Sequence, residues 1–367
     1  MKVSLLYDHQ IFSWQQYGGI SRYFYEIISR VSQSSQVSAM VHMGLHVNQY
    51  GLEKFRDNFS AFNGYYHPAI PKTGRIFLRL NDMLFSQCFR NTDAMIYHST
   101  FYDTLLPDFK GKRIITVHDM VHEMYPHLFS AKDKLASYKR KAVESADGII
   151  CVSEYTKRKL LEILDFPEHK IKVIYLGNPF PPKNISPAIV KAPYILYVGP
   201  RSGYKNFNIL LSAYKQSSQI HNNFQLVCFG GGIFTSNEKA MLDDSGMSGK
   251  VLYFTGSDEI LANLYQHAAL FVYPSICEGF GIPPLEAMHF GCPVLVSSAT
   301  SIPEVVGEAG LYFDPYNMEE LQEKMEVILT NDNLRRQLVA KGYLQKDKFS
   351  WDKAAKETIS FYMECVK

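Results

Sequence analysis

The stretch SICEGFGIPPLEAMHFGCPVLVS, residues 275–297, carries two glutamates, Glu278 and Glu286, with seven residues between them. The preceding LFVYPS predicts a buried strand, so Glu278 falls on the loop that follows this strand. Pro284 suits the first position of a helix, and Gly291 suits its end. Glu286 is therefore expected in the first turn of the helix, where the helix dipole favours an anion.

The chemistry of this stretch suits a nucleotide ligand. The carboxylate of Glu286 has two oxygens that can accept hydrogen bonds from two neighbouring hydroxyls, such as a ribose diol. Gly279 and Gly281 remove side chains from the loop, so backbone N–H groups there can approach phosphate oxygens. The alternative is that Glu286 only caps its helix and that Glu278 is solvated. The combination of both glutamates with the glycines and prolines favours the ligand-binding interpretation.

Length and composition restrict the class of protein. A chain of 367 residues is too long for one ordinary core and predicts two domains. The 38 basic and 36 acidic residues leave a net charge of +2, which gives no argument for a nucleic-acid partner. The six cysteines are scattered without a C-x-x-C pair, which is typical of reduced thiols in a cytoplasmic protein. No apolar run is long enough to predict a membrane span, and the first residues are too short for a signal-peptide core.

Strands alternate with helical patterns in two series, which predicts two doubly wound α/β domains with parallel sheets. The first domain is expected over residues 1–178 and the second over residues 194–350. The proline-rich residues 179–193 predict a linker between the two domains. Residues 351–367 predict a helix that packs back on the first domain. In such sheets ligands bind beyond the carboxyl ends of the strands.

The segment EGFGIPPLEAM resembles the E-x7-E signature of retaining GT-B glycosyltransferases of family 4, and PVLVSSATSIPEVVGEAGLYFDP is similar to the usual continuation of that family. The resemblance covers nearly all of the second half and implies the GT-B fold, with two Rossmann-like domains facing each other across a cleft. It gives Glu278 a contact with the donor sugar and Glu286 a contact with the nucleotide ribose. The intervening residues that it assigns to donor binding are Gly279, Phe280, Gly281 and Ile282.

A second motif, YVGPRSGYKNF at residues 197–207, places Arg201 and Lys205 on a loop after a strand. An arginine and a lysine can meet the charge of a departing diphosphate without a metal ion, and the chain has no D-x-D sequence. The position resembles the diphosphate-binding Arg/Lys pair of the family, which implies catalytic and donor-binding roles for both residues. Lys205 matches less closely, because the spacing is shorter than in some members. Alternatively, both are solvated loop cations.

The first half contributes weaker signals. Gly18 and Gly19 open a helix, where backbone N–H groups can reach donor phosphates, although a Gly-Gly pair is usually only a turn. His118 ends a strand; a lone histidine there is more often a core residue, but the resemblance implies a catalytic position beside the donor sugar. Asp119 is expected to orient its neighbours, and His98 is a candidate on the acceptor side.

Taken with the resemblance, these motifs predict a hexosyl transfer from a nucleotide sugar with retention at the anomeric carbon, and no metal or cofactor. GDP-mannose is the favoured donor, and the acceptor is expected to be a saccharide or lipid-linked saccharide, as in cell-surface polysaccharide synthesis. The alternatives are a UDP- or dTDP-sugar donor, or a non-catalytic subunit that binds nucleotide sugars.

Residues 71–91 predict a basic amphipathic helix, because Lys72, Arg75 and Arg79 alternate with apolar side chains. Such a helix is compatible with peripheral contact to the inner face of a membrane, although a charged helix face is usually only solvated. The basic segment from Lys132 to Lys141 is expected to add to this surface.

Overall fold

The computed structural model describes residues 2–70, 73–90, 92–102, 109–178, 180 and 186–367. The chain forms two compact units, one of Met1–Pro179 with Ser350–Lys367 and one of Phe180–Phe349. The described part of the predicted linker, residues 180 and 186–193, therefore belongs to the second unit. Within it, the Asn263 amide donates hydrogen bonds to Ser186 Oγ (2.8 Å) and the Pro187 carbonyl (2.9 Å).

The first unit contains a parallel sheet. Its strands, as far as the chain is described, are β1 (Val3–Tyr7), β2 (Val37–His46), β3 (Ala61–Tyr66), β4 (Ile96–Ser99), β5 (Lys112–Val117), β6 (Gly148–Cys151) and β7 (Ile171–Val173). They are arranged in the order β3-β2-β1-β4-β5-β6-β7, and every pairing is parallel. Because the chain leaves β3 at one edge and returns to β4 beside β1, the direction of winding reverses between β1 and β4.

Helices cover the strands of this sheet. They are α1 (Gln10–Trp14), α2 (Gly19–Val31), α3 (Gly74–Arg90), α4 (Val121–Met124), α5 (Leu135–Glu144) and α6 (Glu154–Ile163). Strands β4 and β6 are buried along their whole length, and the sequence of β6, GIIC, carries no charged or strongly polar residue.

The second unit repeats the architecture with a smaller sheet. Its strands in the described chain are β8 (Tyr194–Val198), β9 (Gln225–Phe229), β10 (Val251–Phe254), β11 (Leu270–Tyr273), β12 (Val294–Ser297) and β13 (Gly310–Phe313). They are parallel and lie in the order β10-β9-β8-β11-β12-β13, so the winding reverses between β8 and β11.

The helices of the second unit are α7 (Phe207–Gln216), α8 (Ser218–Asn223), α9 (Ser236–Asp244), α10 (Asp258–His267), α11 (Ile282–Phe290), α12 (Ile302–Val306), α13 (Met318–Thr330) and α14 (Asp332–Lys346). Buried Ile195, Leu226, Leu270 and Leu295, one from each of four neighbouring strands, form the centre of its core.

The last helix, α15 (Trp351–Cys365), belongs to the first unit, where it packs against α2. The Ser350 side chain caps it by accepting hydrogen bonds from the backbone N–H groups of Asp352 and Lys353. Tyr362, fully buried on this helix, shares a 2.9 Å hydrogen bond with Tyr7 on β1. None of the helices in the described segments is long and apolar enough to cross a membrane.

Candidate active site

The two motifs of the second unit meet where the winding of its sheet reverses. Lys205 follows β8 and Glu278 follows β11, and these strands are neighbours. The Lys205 ammonium lies 2.6 Å from Oε1 of Glu278 and donates a 3.1 Å hydrogen bond to the Tyr273 hydroxyl. A reversal of winding opens a crevice beyond the carboxyl ends of two adjacent strands, which is where ligands bind in this architecture.

Backbone contacts join the Lys205 loop to the loop after β11. The Ile276 N–H donates a 2.7 Å hydrogen bond to the carbonyl of Tyr204. Asn206 adopts the left-handed conformation (φ 56°), and its amide donates to the carbonyls of Pro274 (3.2 Å) and Pro315 (2.7 Å). Asparagine tolerates this conformation better than most residues. Lys205 is therefore held in place by its neighbours on both sides.

A second set of contacts fixes Glu278. Its backbone N–H donates to Thr300 Oγ1 (3.0 Å), and the Ser301 hydroxyl donates to the carbonyls of Glu278 and Phe280 (both 2.9 Å). Thr300 has a φ of 63°, an unfavourable conformation for a β-branched residue that costs on the order of 1–3 kcal/mol. Sequence reasoning missed Thr300 and Ser301, whose only signal is their place just after β12.

The environment of the pair keeps Lys205 charged. Its side chain is only 16% exposed and that of Glu278 only 11%. Burial alone would lower the pKa of Lys205, but the charge of Glu278, with Tyr273 and Tyr204, raises that pKa well above its usual value. The pKa of Tyr273 is also raised well above its usual value, by burial and then by the charge of Glu278. The site thus presents an ammonium, a carboxylate and a neutral phenol.

Glu286 lies on the helix that follows this loop, but two positions further from the start of the helix than expected. Helix α11 begins at Ile282 rather than Pro284, because Gly281 in the left-handed region (φ 118°) forms its N-cap. Glu286 is consequently the fifth helical residue, and the prediction that it lies in the first turn is wrong. It is 8% exposed, and its Oε2 accepts a 2.9 Å hydrogen bond from the buried hydroxyl of Tyr265.

Arg201 is turned away from the Lys205–Glu278 pair. Its Nε lies 2.7 Å from Oε1 of Glu238, and its Nη atoms donate to the carbonyls of Gly230 (3.1 Å), Gly232 (2.9 Å) and Ile233 (3.2 Å). Its side chain is 3% exposed. These contacts occupy most of the guanidinium donors and bind the glycine turn after β9. The predicted role of Arg201 as a diphosphate ligand stays a prediction, and Lys205 is the motif cation that contacts Glu278.

Of the two glycines predicted to contact the donor phosphates, Gly18 already uses its backbone N–H group in a hydrogen bond. The Gly18 N–H donates to the hydroxyl of Tyr50 (3.2 Å), and the Ser21 N–H donates to Gln15 Oε1 (3.1 Å). A Cβ on Gly18 would lie 2.3 Å from that same oxygen, whereas one on Gly19 would meet no atom within 4 Å. The expectation that Gly18 offers a bare N–H group is corrected. Gly19 borders open space, and a phosphate contact there stays a prediction.

His118 directly follows β5 in the first unit. Its Nε2 is buried and has no hydrogen-bond partner among the residues that the structure describes, while its backbone N–H donates to the Tyr102 hydroxyl (3.3 Å). Burial lowers the pKa of the imidazole to about 4, with Asp119 opposing and Lys139 reinforcing the shift. The ring is therefore neutral at pH 7, and a neutral imidazole can donate one hydrogen bond and accept another.

A buried ionic cluster supports the His118 turn. The ammonium of Lys139, which is 1% exposed, donates to the carbonyl of Asp119 (2.7 Å) and to Oε2 of Glu123 (2.9 Å). It also lies 3.5 Å from Oδ1 of Asp119 and 5.5 Å from the ring centre of Tyr102. The expectation that the segment from Lys132 to Lys141 forms a basic surface is thus wrong for Lys139.

His98 belongs to the core rather than to a binding surface. It is fully buried, its Nδ1 shares a hydrogen bond with the Tyr362 hydroxyl, and its Nε2 lies 2.9 Å from Thr116 Oγ1. Burial lowers its pKa to about 3. Both ring nitrogens are occupied, so the proposed acceptor-side role of His98 is corrected to a structural one that links α15 to the sheet.

Across the segments that the structure describes, no group of three His, Cys, Asp or Glu side chains is placed to hold a metal ion. The six cysteines are free thiols, and only Cys88 is exposed. The absence of a metal requirement stays a prediction for experiment.

Comparison with known proteins identifies the family. Residues 17–178 match the family model described as Glycosyltransferase Family 4, and residues 182–345 match that of Glycosyl transferases group 1. The O-antigen chain mannosyltransferase B of Escherichia coli is 28% identical over 94% of this chain and 95% of its own length. The chain belongs to the family 4 glycosyltransferases.

Solved structures show the same fold for this glycosyltransferase. The sucrose-phosphate synthase of Thermosynechococcus elongatus superimposes with a TM-score of 0.75 at 18% identity, covering 99% of both chains. Anabaena HepE, in complex with UDP and glucose, gives a TM-score of 0.71 at 15% identity over 98% of this chain and 99% of that chain. The predicted GT-B fold with two Rossmann-like domains is confirmed.

Proposed function

We propose that this glycosyltransferase transfers mannose from GDP-mannose to a saccharide or lipid-linked saccharide acceptor, with retention at the anomeric carbon and without a metal ion. The observation that carries the proposal is the contact between Lys205 and Glu278 at the reversal of the second sheet. The likeness to an O-antigen mannosyltransferase supports the choice of sugar and acceptor class.

The chemistry follows from the charges of these groups. The bond between the anomeric carbon and the diphosphate oxygen breaks, and the leaving diphosphate gains negative charge. The Lys205 ammonium stabilises that charge, and in a site that excludes water such stabilisation contributes more than it would in solution. The acceptor hydroxyl attacks on the same face of the sugar and gives its proton to the leaving phosphate oxygen. Glu278 and the neutral His118 hold the sugar, and Glu286 holds the ribose.

The proposal is tested by incubating the purified protein with a panel of GDP-, UDP- and dTDP-sugars and an oligosaccharide acceptor. Turnover of GDP-mannose, with an α-configured product by NMR and undiminished rates in EDTA, is the expected result. If the protein prefers a UDP- or dTDP-sugar, that sugar replaces GDP-mannose as the proposed donor. A product with inverted configuration at the anomeric carbon would contradict the proposed retention. Binding of a nucleotide sugar without turnover would favour the alternative of a non-catalytic subunit.

We further propose that α3 brings the enzyme to the inner face of an anionic membrane. Of the predicted segment, Lys72 lies outside the described residues, but Arg75 and Arg79 are exposed on this helix. The exposed apolar side chains beside them are Ile76 (60%), Leu80 (39%), Met83 (57%) and Leu84 (42%). Phe85 and Phe89 instead face the core. An exposed apolar stripe with adjacent cations suits the headgroup region of anionic lipid.

Vesicle co-sedimentation tests this contact. The protein is expected to sediment with phosphatidylglycerol vesicles and to lose this binding when Arg75 and Arg79 are both replaced by Glu. Replacing the exposed Lys341 and Lys353 by Glu serves as the charge-matched control. Equal binding by all three proteins would reject α3 as the contact.

A further inference from the structure

Three large aromatic side chains are exposed at the carboxyl edge of the first sheet. Trp14 ends α1 and is 64% exposed, Tyr17 follows it and is 57% exposed, and Tyr66 ends β3 and is 51% exposed. Single exposed apolar residues are common on protein surfaces, but a group at the edge where α/β sheets bind ligands indicates a binding surface.

A chain of hydrogen bonds joins two of these aromatic residues, Tyr17 and Tyr66. The Tyr17 hydroxyl donates to Gln49 Oε1 (2.7 Å), and Gln49 Nε2 donates to the Tyr66 hydroxyl (2.8 Å). The loops after β1 and β2 and the end of β3 are therefore linked through one exposed amide. The linked residues Tyr17, Gln49 and Tyr66, together with Trp14 three positions before Tyr17, are called the aromatic platform below.

The backbone beneath the aromatic platform is held by contacts between the two loops. Asn48, which is 2% exposed, donates through Nδ2 to the carbonyl of Gln15 (2.9 Å). The backbone N–H of Gln49 donates to the carbonyl of Gln16 (3.2 Å), and that of Val47 donates to the carbonyl of Phe12 (3.2 Å). Aromatic side chains on such a fixed backbone lose little conformational entropy when they bind a ligand.

We propose that the aromatic platform binds the sugar ring of the saccharide acceptor. One face of a pyranose presents C–H groups, which suit an aromatic face, and its rim presents hydroxyls, which suit an amide and phenol hydroxyls. All four side chains of the platform are uncharged, so its chemistry fits a neutral sugar better than a phosphate or a lipid headgroup. This inference rests on the proposed transfer to a saccharide.

The position of Trp14 provides a direct binding assay. The chain has two tryptophans, and Trp351 is only 3% exposed, so dissolved iodide should quench the fluorescence of Trp14 selectively. Addition of mannotetraose to the wild-type protein, without donor, is expected to shield Trp14 from iodide in a saturable manner. Sorbitol at equal concentration by mass controls for bulk solvent effects, and Trp14→Phe identifies the signal.

Neighbouring tyrosines supply a matched pair of variants. Tyr66→Ala and Gln49→Ala should each raise the Kd for mannotetraose about 2- to 12-fold, the range for loss of one hydrogen bond. Tyr65→Ala should leave the Kd unchanged, because Tyr65 is similarly exposed (65%) but its side chain points to the opposite face of β3. Circular dichroism of each variant establishes that it is folded.

The outcomes separate this inference from the proposed function. Turnover of GDP-mannose with no shielding of Trp14, or equal effects of Tyr65→Ala and Tyr66→Ala, would overturn the platform and leave the proposed function standing. Shielding with the expected variant pattern, but no turnover, would support the platform and reject catalysis. Shielding by phosphatidylglycerol vesicles and not by mannotetraose would overturn the inference in favour of a membrane contact.

Discussion

The ammonium of Lys205 lies 2.6 Å from the carboxylate of Glu278, although 73 positions separate the two residues in the chain. The contact exists because β8 and β11 are adjacent strands on either side of the reversal in the sheet. In the absence of ligand each charge neutralises the other. A diphosphate that attracts Lys205 therefore changes the electrostatic environment of Glu278 at the same time.

Lys205→Met is expected to lower kcat by about 100-fold or more, because it removes the charge that is proposed to stabilise the leaving group in the transition state. Glu278→Gln should have an effect of similar size. Since the side chains are in contact, the double variant should lose less activity than the product of the two single losses. Steady-state kinetics of the three variants measures this coupling.

The control for this cycle is Lys341→Met, which removes an exposed surface lysine and should retain full activity. If the effects of the two substitutions simply multiply, Lys205 and Glu278 act independently and their contact has no part in catalysis.

Arg201→Ala is expected to destabilise the fold rather than act only on turnover. The substitution leaves Glu238 without its main partner and removes the contacts to the turn after β9. Breaking a buried ion pair by removing one partner typically costs about 3–5 kcal/mol, and the partial exposure of Glu238 favours the lower end. Urea denaturation measures the loss, with the exposed Arg336→Ala as control. Unchanged stability with lost turnover would contradict this expectation and support the predicted role of Arg201 as a diphosphate ligand.

The ion pair between Arg201 and Glu238 makes the free energy of unfolding depend on pH. The hydrogen bond from Arg201 is the main cause that lowers the pKa of Glu238 from 4.5 to about 2. Because the folded-state pKa is depressed, the stabilisation is complete above about pH 4.5 and is lost as the pH falls towards 2. The difference in unfolding free energy between wild type and Glu238→Gln should therefore shrink over this interval. A constant difference from pH 6 to pH 2.5 would contradict the assignment.

The continuous apolar strands could be predicted from the sequence, but two strands could not. A strand such as β11, with the sequence LFVY, is buried on both faces and therefore appears as an uninterrupted apolar run. β2 and β3 could not be predicted in this way, because they lie towards one edge of the sheet and are not buried along their whole length. β3, with the sequence AFNGYY, has no buried residue and no clear apolar pattern.

The motifs of the candidate site could be predicted from the sequence, but the contacts between their residues could not. The E-x7-E spacing located Glu278 and Glu286, yet nothing in the sequence distinguishes which cation of Arg201 and Lys205 meets Glu278. That choice depends on Glu238, a helix residue 37 positions from Arg201, whose carboxylate binds the guanidinium. Long-range partners of this kind become apparent only when the fold is known.

Glu286→Ala should weaken binding of GDP alone as well as of GDP-mannose, because the proposed partner of Glu286 is the ribose of the nucleotide. Loss of a charge-assisted hydrogen bond typically costs about 1.5–3 kcal/mol, which corresponds to roughly a 10- to 150-fold rise in Kd. Tyr265→Phe removes the hydroxyl that donates to Glu286 and should produce a smaller change in the same direction. Calorimetric titration with GDP and GDP-mannose compares both ligands.

Glu278→Ala is the comparison variant for this titration, since the proposed partner of Glu278 is the donor sugar. This substitution should weaken the binding of GDP-mannose more than the binding of GDP. Identical patterns for Glu278→Ala and Glu286→Ala would contradict the division of labour between the two glutamates.

Lys139→Met is expected to destabilise the first unit, because it removes the positive charge that pairs with Asp119 and Glu123. The wild-type cluster places one ammonium beside the carboxylates of Asp119 and Glu123, and the Lys139 side chain is 1% exposed. Without the cation, the carboxylates of Glu123 (7% exposed) and Asp119 (34% exposed) lose their shared partner. Removing one partner of a buried ion pair typically costs about 3–5 kcal/mol, and the exposure of Asp119 favours the lower end of this range. Adding Glu123→Gln to Lys139→Met restores the net charge of the wild-type cluster, so the double variant should unfold at a higher urea concentration than Lys139→Met alone. Lys141→Met, an exposed lysine of the same helix, controls for the loss of a surface charge. If Glu123→Gln gives no recovery, the loss reflects the packing of the Lys139 side chain, and the charge balance beneath His118 is not what stabilises the turn.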